Sequence, residues 1–265
     1  MKYFTIALIA LLLIIISVNS SLADVGIIVA LNSNLEQLKE NIKIKRISKK
    51  AGREFFSGQI DNIDVVLVRS PMGKVNNAIT AQALISHDSV KSVVSIGPAG
   101  AIDKRLNIGD AIVATEVYQH DFGTFKPYGF LWGRVPDGTN WDEPGYNLAD
   151  KGLRELVLLC AKDRSKSQNR IIEGVIVTGD QFISSQDKKE WLFKKFRAMA
   201  VDMGAASIAQ VCYANRVPYC ILRIITDKAT VNARTDFENS IPFYQTDIDI
   251  LGFVKGILQG IQNRR

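Results

Sequence analysis

The residues best placed to carry out chemistry are Arg223, Thr226 and Asp227, at the end of one apolar run. Residues 219–225 are apolar apart from Arg223, which is the pattern of a strand covered on both faces. Side chains alternate along a strand, so Arg223 and Asp227 are predicted to share a side. Because open α/β sheets bind ligands at the carboxyl ends of their strands, this segment predicts a ligand site.

The carboxyl group of Asp227 is open to two interpretations. An acid at the end of a buried strand is costly unless it is paired or protonated. It could be structural, either neutralised by Arg223 or capping the segment that follows. Alternatively, apolar Ile224 and Ile225 could keep it protonated near neutral pH, and it could then donate a proton to a leaving group.

The rest of the chain supplies elements that would position this strand. Its 265 residues suffice for one large domain, and strand patterns alternate with helix patterns. This order predicts a single α/β domain over residues 24–265, with a mostly parallel central sheet flanked by helices. The predicted strands are 25–31, 55–60, 65–69, 93–96, 111–117, 171–177 and 219–225. The predicted helices are 32–42, 74–85, 148–162, 187–196, a small-residue helix opened by Gly204, and 247–260, with 119–146 irregular.

Five short motifs occur in order along nearly the whole chain after residue 23. Together they resemble the methylthioadenosine/S-adenosylhomocysteine nucleosidases of the nucleoside phosphorylase superfamily. The motifs are Val25-Gly26-Ile27-Ile28, Gly73-Lys74-Val75-Asn76, Gly97-Pro98-Ala99-Gly100, Gly179-Asp180-Gln181-Phe182-Ile183, and residues 200–229. The resemblance implies a nucleoside phosphorylase-like fold and hydrolysis of the N-glycosidic bond of adenosine-type nucleosides. It also implies a homodimer, a purine or nucleoside as small-molecule partner, and no cofactor.

The resemblance also implies roles for particular residues. Asp227 would serve the purine N7 as the acid, with Arg223 and Thr226 holding it and the base. Phe182 and Ile183 would stack on the purine and read its edge, unless Phe182 only packs its loop.

Further residues complete the implied ligand site. Met203 would lie under the ribose, and Tyr128 would reach in from the partner subunit. The remaining implied contacts with the base, the sugar and its 5′ substituent are Met72, Ala99, Gly100, Asp202, Gly204 and Phe237.

Three positions depart from the family pattern. Asn34 stands where the resemblance implies a water-activating glutamate, and an amide cannot take a proton from water. Gly204 stands where a ribose-clamping glutamate is implied, so a charge-assisted hydrogen bond is lost, and Pro98 replaces a serine. Glu36 is two residues beyond Asn34, roughly 200° round a helix, and is expected to face away.

These departures leave two hypotheses. The chain is a purine nucleosidase with altered or reduced activity, or it is a non-catalytic purine-binding, nucleoside-binding or storage protein. A phosphorylase is disfavoured, because the turn at residues 96–100 offers no phosphate-binding side chain and Pro98 lacks an N–H donor.

Residues 1–23 have the features of a cleavable signal peptide. Lys2 precedes an apolar run over residues 3–18, and Ser21-Leu22-Ala23 is a small-x-small cleavage signal. The run is shorter than the about 20 residues that span a bilayer. We therefore expect cleavage before Asp24 and an exported protein, periplasmic or secreted, without a stable membrane anchor.

Composition argues against other classes of partner. The formal net charge is +6, but the basic residues are scattered without interleaved aromatics, so a solvated surface is favoured over a nucleic-acid site. With only two histidines, His87 and His120, a metal site is not expected. The three cysteines, Cys160, Cys212 and Cys220, are expected to be buried free thiols, although an exported chain could pair two of them.

Overall fold

The computed structural model describes residues 24–136, 148–162, 169–246 and 249–263. The predicted signal peptide lies outside the described residues. The strands are β1 (Val25–Val29), β2 (Lys43–Lys50), β3 (Arg53–Ile60), β4 (Ile63–Arg69), β5 (Val93–Ala101), β6 (Ala111–Gln119), β7 (Gly123–Lys126), β8 (Gly129–Trp132), β9 (Ile171–Thr178), β10 (Ala198–Asp202) and β11 (Tyr219–Asp227). The helices are α1 (Asn32–Lys39), α2 (Lys74–Asp88), α3 (Lys151–Lys162), α4 (Gln186–Phe196), α5 (Ala205–Ala214), α6 (Ala233–Thr246) and α7 (Ile250–Asn263).

The main sheet has nine strands in the order β10-β9-β6-β11-β5-β1-β4-β3-β2. Its parallel pairs are β1–β4, β1–β5, β5–β11, β6–β9 and β9–β10. Its antiparallel pairs are β2–β3, β3–β4, β6–β11 and β5–β10. The sheet is therefore mixed, and the predicted single α/β domain is confirmed.

The sheet curls back on itself beside the predicted ligand site. Strand β10 pairs with β9 and also with β5, where Val201 lies opposite Gly100. On the other side of β5, Gly100 lies opposite Asp227 of β11. The closure therefore brings the ends of three strands, which are far apart in sequence, to one place.

Helices cover both faces of the sheet. Helices α2 and α5 pack on one face, and α5 can approach closely because Ala205, Ala206 and Ala209 are fully buried small residues. Helices α1, α3 and α7 pack on the other face. All nine residues of β11 are buried, as the apolar run predicted, because this strand is central and covered on both sides.

Some local expectations were wrong. A break was expected at residues 97–100, but β5 runs through them to Ala101, since pairing with β11 and β10 holds the strand extended. Strand β2 was missed because nearly all its side chains face solvent and it shows no apolar alternation. Helix α6 was missed because it has a weak apolar face and contains Pro242.

Two of the three cysteines can be assessed. Cys212 and Cys220 are buried free thiols, as expected, and burial raises the pKa of each to about 12. The side chain of Cys160 lies outside the described part of the structure. Within the described part, no helix is both long and apolar enough to cross a membrane.

Candidate active site

A cavity of about 460 Å³ lies where β5, β10 and β11 meet. Its size is that of a small-molecule site. Most of the residues singled out in the sequence line this one cavity, although they lie far apart in the chain, from Met72 to Phe237. They are Met72, Ala99, Gly100, Phe182, Ile183, Asp202, Met203, Gly204, Arg223, Thr226, Asp227 and Phe237.

Arg223 pairs with Asp202 and not with Asp227, so the interpretation in which Arg223 neutralises Asp227 is wrong. Its Nε donates to Asp202 Oδ2 at 2.6 Å, and the two side chains are only 5% and 4% exposed. Its Nη1 donates to the carbonyl oxygen of Ser95 at 3.3 Å, to Ser95 Oγ at 3.2 Å and to the carbonyl oxygen of Leu222 at 3.0 Å. The guanidinium is therefore held against the sheet, away from the acid at position 227.

Asp202 positions the cavity wall, although the sequence placed it among the ligand contacts. Besides Arg223, its carboxylate accepts hydrogen bonds from Thr178 Oγ1 at 2.5 Å, Gly204 N at 3.3 Å and Ala205 N at 2.9 Å. These donors join β9, β10, β11 and the start of α5. Protein groups thus occupy its lone pairs, and the negative charge caps the helix amino terminus.

Asp227 is the acid that forms no ion pair with a described residue, although the charge of nearby Lys189 acts to lower its pKa. It is 4% exposed, Oδ1 accepts from Ala229 N at 2.8 Å, and Thr226 Oγ1 lies 3.4 Å from Oδ2. Burial outweighs these hydrogen bonds and raises the pKa of Asp227 to about 6. Its carboxyl is therefore neutral in mildly acidic solution and can act as a proton donor within the cavity.

The carboxyl of Asp227 also explains why residue 100 is glycine. A Cβ built on Gly100 would lie 2.6 Å from Asp227 Oδ1. Any larger residue would push the acid off its position.

Asn34 does not line the cavity. It lies in the first turn of α1, is 2% exposed, and its Oδ1 has no hydrogen-bond partner among the described residues. Glu36 faces solvent as expected, because its side chain is 59% exposed and pairs with Lys39 at 2.9 Å. Neither residue brings a carboxylate to the described wall.

The other acids of the described wall are engaged. Asp202 pairs with Arg223, and Glu238 accepts from Arg234 Nε at 2.5 Å. Asp227 is thus the one carboxyl of the described cavity wall that can exchange a proton without breaking an ion pair.

Two aromatic rings flank the entrance of the cavity. The ring centroids of Phe182 and Phe237 are 6.2 Å apart, with an interplanar angle of 80°. Phe182 remains 44% exposed instead of being buried in its loop, so its ring is available to a planar ligand. Ile183 beside it is buried, and Met72 is exposed at the entrance.

An ion network holds the loop that carries Phe182. Asp180 Oδ1 accepts from Lys74 N at 2.7 Å, and Asp121 Oδ2 accepts from Asp180 N at 2.9 Å. Lys74 Nζ pairs with Asp121 at 2.7 Å. The network therefore ties the start of α2, in the Gly73 motif, to the loop after β9, in the Gly179 motif.

Tyr128 lies away from the cavity of its own chain. It sits between β7 and β8, in a hairpin that the sequence did not predict, and is 81% exposed. Phe125 and Leu131 of the same hairpin are also exposed. This placement is compatible with a contact outside the chain.

The structure adds residues that the sequence reasoning missed. Arg69 and Ser70 at the end of β4, Asn77 of α2, and Arg234 and Glu238 of α6 also line the cavity. The position of Arg69 and Ser70 at a strand's carboxyl end was a usable signal. Asn77 gave no signal, because its place depends on how α2 meets α5.

His120 is not part of a metal-binding cluster among the described residues. It is fully buried, neither ring nitrogen has a hydrogen-bond partner among the described residues, and burial lowers its pKa to about 4. In the described part of the chain, no three metal-ligating side chains of the His, Cys, Asp and Glu types cluster together.

Comparisons with known proteins point to one group. Residues 24–249 match the model of the phosphorylase superfamily. The chain is 30% identical over 239 residues to a 5′-methylthioadenosine/S-adenosylhomocysteine nucleosidase of Bacillus cytotoxicus, covering 90% of this chain and 99% of the relative. It is 33% identical over 233 residues to the enzyme of the same name from Haemophilus influenzae, covering 87% and 98%.

Solved structures give the same result. The Neisseria meningitidis 5′-methylthioadenosine/S-adenosylhomocysteine nucleosidase, in complex with methylthio-immucillin-A, superposes with a TM-score of 0.78 at 28% identity. That match covers 89% of this chain and 99% of the other. Futalosine hydrolase of Helicobacter pylori superposes with a TM-score of 0.76 at 27% identity, covering 92% and 99%.

The Asp202–Arg223 pair predicts a large stability loss when one partner is removed. Asp202→Ala leaves a buried guanidinium without a counter-charge, so we expect the free energy of unfolding to fall by about 3–5 kcal/mol in urea titrations. Glu190→Ala removes an exposed pair with Lys194 (3.6 Å) and serves as the control, with almost no change expected. Equal losses for the two variants would contradict the assigned role of Asp202.

The raised pKa predicts that Asp227 costs stability at neutral pH. The folded state binds this proton more tightly than the unfolded chain, whose value is about 3.9. The loss of unfolding free energy that ionised Asp227 causes is therefore complete well above pH 6, and it disappears as the pH falls toward 4. Asp227→Asn should raise the free energy of unfolding by about 1–3 kcal/mol at pH 8 and by progressively less at pH 6 and pH 4.

Thermal and urea unfolding at these three pH values check this expectation. Glu54→Gln, at an exposed position of β3, is the matched carboxyl-to-amide control and should change little. A uniform stability loss for Asp227→Asn at every pH would show instead that the carboxylate is needed to hold the fold.

Proposed function

We propose that this chain, which belongs to the phosphorylase superfamily and within it to the methylthioadenosine/S-adenosylhomocysteine nucleosidase family, hydrolyses the N-glycosidic bond of adenosine-type nucleosides. The observation that carries the proposal is the buried carboxyl of Asp227, with a pKa of about 6, inside a nucleoside-sized cavity. The nucleosidases named above supply the reaction class.

In the proposed reaction the C1′–N9 bond breaks as the leaving base takes a proton. The neutral carboxyl of Asp227 donates that proton to purine N7, and the bonding electrons leave with the base. The sugar becomes an oxocarbenium ion, water adds at C1′ and releases a proton to the surrounding water, and Asp227 takes a proton back from solvent. Each positioned proton transfer contributes roughly 10²–10⁴ in rate, as in the two-carboxyl chemistry of glycoside hydrolysis.

The water-activating half of this chemistry is weak. Asn34 lies outside the described wall, and Asp202 and Glu238 are held in ion pairs. The attacking water thus lacks a free carboxylate base. We therefore expect hydrolysis to be slower than in a nucleosidase that has this base, by about the 10²–10⁴-fold that one proton transfer supplies. The sugar cation is reactive enough for capture by water to proceed without that base.

The missing water-activating base favours a second candidate, a non-catalytic protein that binds purines or nucleosides. Gly204 offers no side chain to the sugar, and Phe182 still presents an open ring to a planar base. A binding or storage role needs the purine end of the cavity alone.

Export and dimerisation complete the proposal. The signal-peptide pattern of residues 1–23 supports cleavage before Asp24 and an exported mature protein. The exposed aromatic and aliphatic side chains of the β7–β8 hairpin, Phe125, Tyr128 and Leu131, support a homodimer in which Tyr128 reaches the partner's cavity.

Release of adenine from methylthioadenosine tests the enzymatic proposal. We expect adenine to form in proportion to enzyme, at a rate that falls as the pH rises above 6 because the neutral acid is depleted. Asp227→Asn should lower the rate at least about 10²-fold, whereas Glu54→Gln should not change it. Chromatographic separation of adenine from the nucleoside gives the measurement.

Binding without release would favour the second candidate. If calorimetry detects adenine binding while high enzyme concentrations release no adenine above background, the hydrolytic proposal fails and the binding protein remains.

The mature protein itself tests export and assembly. Recovered from outside the cytoplasm, the chain should have the mass of residues 24–265, and light scattering should give twice that mass. A full-length chain retained in the cytoplasm would contradict export, and a monomer would contradict the dimer.

A further inference from the structure

The side chain of Asn77 occupies the space next to Gly204, one of the glycines of the cavity wall. Gly204 precedes the first residue of α5, and a Cβ built on it would lie 2.5 Å from both Cγ and Nδ2 of Asn77. Asn77 belongs to α2, is 8% exposed and lines the cavity together with Gly204. The two residues therefore form a complementary pair, in which the amide of one excludes a side chain on the other.

The orientation of the Asn77 amide is fixed by its hydrogen bonds. Nδ2 donates to the carbonyl oxygen of Gly73 at 2.9 Å and to that of Pro71 at 3.2 Å. Turning the amide over would place its oxygen against two carbonyl oxygens, so the assignment of the two atoms is unambiguous. Both amide hydrogens are used, and what Asn77 can offer a ligand is the acceptor Oδ1.

No residue in the described part of the chain donates a hydrogen bond to that acceptor. The residue is only 8% exposed, but its Oδ1 is not one of the fully buried side-chain atoms without a partner, so this oxygen is open to the cavity that Asn77 lines. An acceptor that faces the cavity and receives no hydrogen bond from the described protein groups can take one from a ligand, with a net worth of about 0.5–1.5 kcal/mol.

The groups of a nucleoside that can donate to an acceptor are its sugar hydroxyls and an exocyclic amino group. Asp227 and the aromatic ring of Phe182 lie in other parts of the wall, which we assigned to the base. The oxygen of Asn77 is a neutral, directional acceptor, whereas a carboxylate on residue 204 would have been a charged one.

We propose that Asn77 is the sugar-binding residue of this cavity, and that its Oδ1 accepts a hydrogen bond from a ribose hydroxyl in place of a side chain at position 204. The inference rests on the proposed function, because it assigns a contact to a nucleoside in the same cavity. It adds that the sugar contact is made by a residue of α2 and not by residue 204 before α5, and that this contact involves a neutral amide in place of a carboxylate.

Calorimetry in an Asp227→Asn background, which prevents consumption of the ligand, tests the contact. With adenine, adenosine, 2′-deoxyadenosine and 3′-deoxyadenosine as ligands, Asn77→Ala should weaken adenosine binding about fivefold, the worth of one hydrogen bond. It should leave adenine unchanged, and one deoxynucleoside should already bind as weakly as the variant binds adenosine. Asn77→Leu keeps the volume without the acceptor and serves if the alanine variant is unstable.

Asn76→Ala is the matched control, because this neighbouring amide bonds to Arg53 and to the carbonyl oxygen of Met72 outside the cavity. It should not change the ratio of adenosine to adenine affinity.

A double-mutant cycle with Gly204→Glu tests the steric half without any ligand. Gly204→Glu alone should lower the Tm by several degrees because its Cβ meets the Asn77 amide. Asn77→Ala/Gly204→Glu should recover most of that loss and bind adenosine more tightly than Asn77→Ala does, since a carboxylate makes a stronger hydrogen bond.

The outcomes separate the inference from the proposed function. Binding of adenine with an adenosine-to-adenine ratio that Asn77→Ala and Asn77→Leu leave unchanged overturns the role of Asn77 alone. Additive Tm losses in the cycle overturn the steric pairing. If neither the unsubstituted protein nor the Asp227→Asn protein binds adenine or adenosine, both this inference and the proposed function are overturned.

Discussion

The buried ion pair between Asp202 and Arg223 is the interaction on which the geometry of the cavity depends. Two charges removed from water are tolerated here because each is also hydrogen-bonded: the carboxylate to Thr178 and the start of α5, the guanidinium to Ser95. The pair thereby fixes β10, β11, β9 and α5 relative to one another. It also removes the cation of β11 from the neighbourhood of Asp227.

This division of charge is what leaves Asp227 with a raised pKa. Had Arg223 faced it, the attraction would have lowered the pKa and locked the acid in its ionised form. Burial without a paired cation does the opposite and places the pKa near 6. The ionised Asp227 lowers the stability of the fold, and the burial of the central strand β11 along its whole length offsets this loss. Shifted pKa values of this kind are common at sites that exchange protons.

One departure from the family pattern has a packing explanation. A side chain at position 204 would meet the Asn77 amide that fills the adjoining space, so the glycine before α5 and the polar amide of α2 depend on each other. Asn34, where the family pattern has a glutamate, is buried and contributes nothing to the described wall. The cavity thus keeps its purine end and its proton donor while its sugar end is rebuilt with neutral groups.

The sequence by itself determined the α/β class and the approximate positions of seven of the eleven described strands, because buried strands read as apolar runs. Through the family resemblance of its ordered motifs it also indicated many of the residues around the cavity. It could not determine which acid Arg223 pairs with. Strand alternation places Arg223 and Asp227 on one side of β11, but it does not show that Asp202 of β10 lies next to Arg223. Asn77 was equally invisible, because its contact with Gly204 is made between helices that are separate in sequence. Only the tertiary structure decides such contacts, as side-chain partners across the core depend on how the sheet closes and how the helices approach.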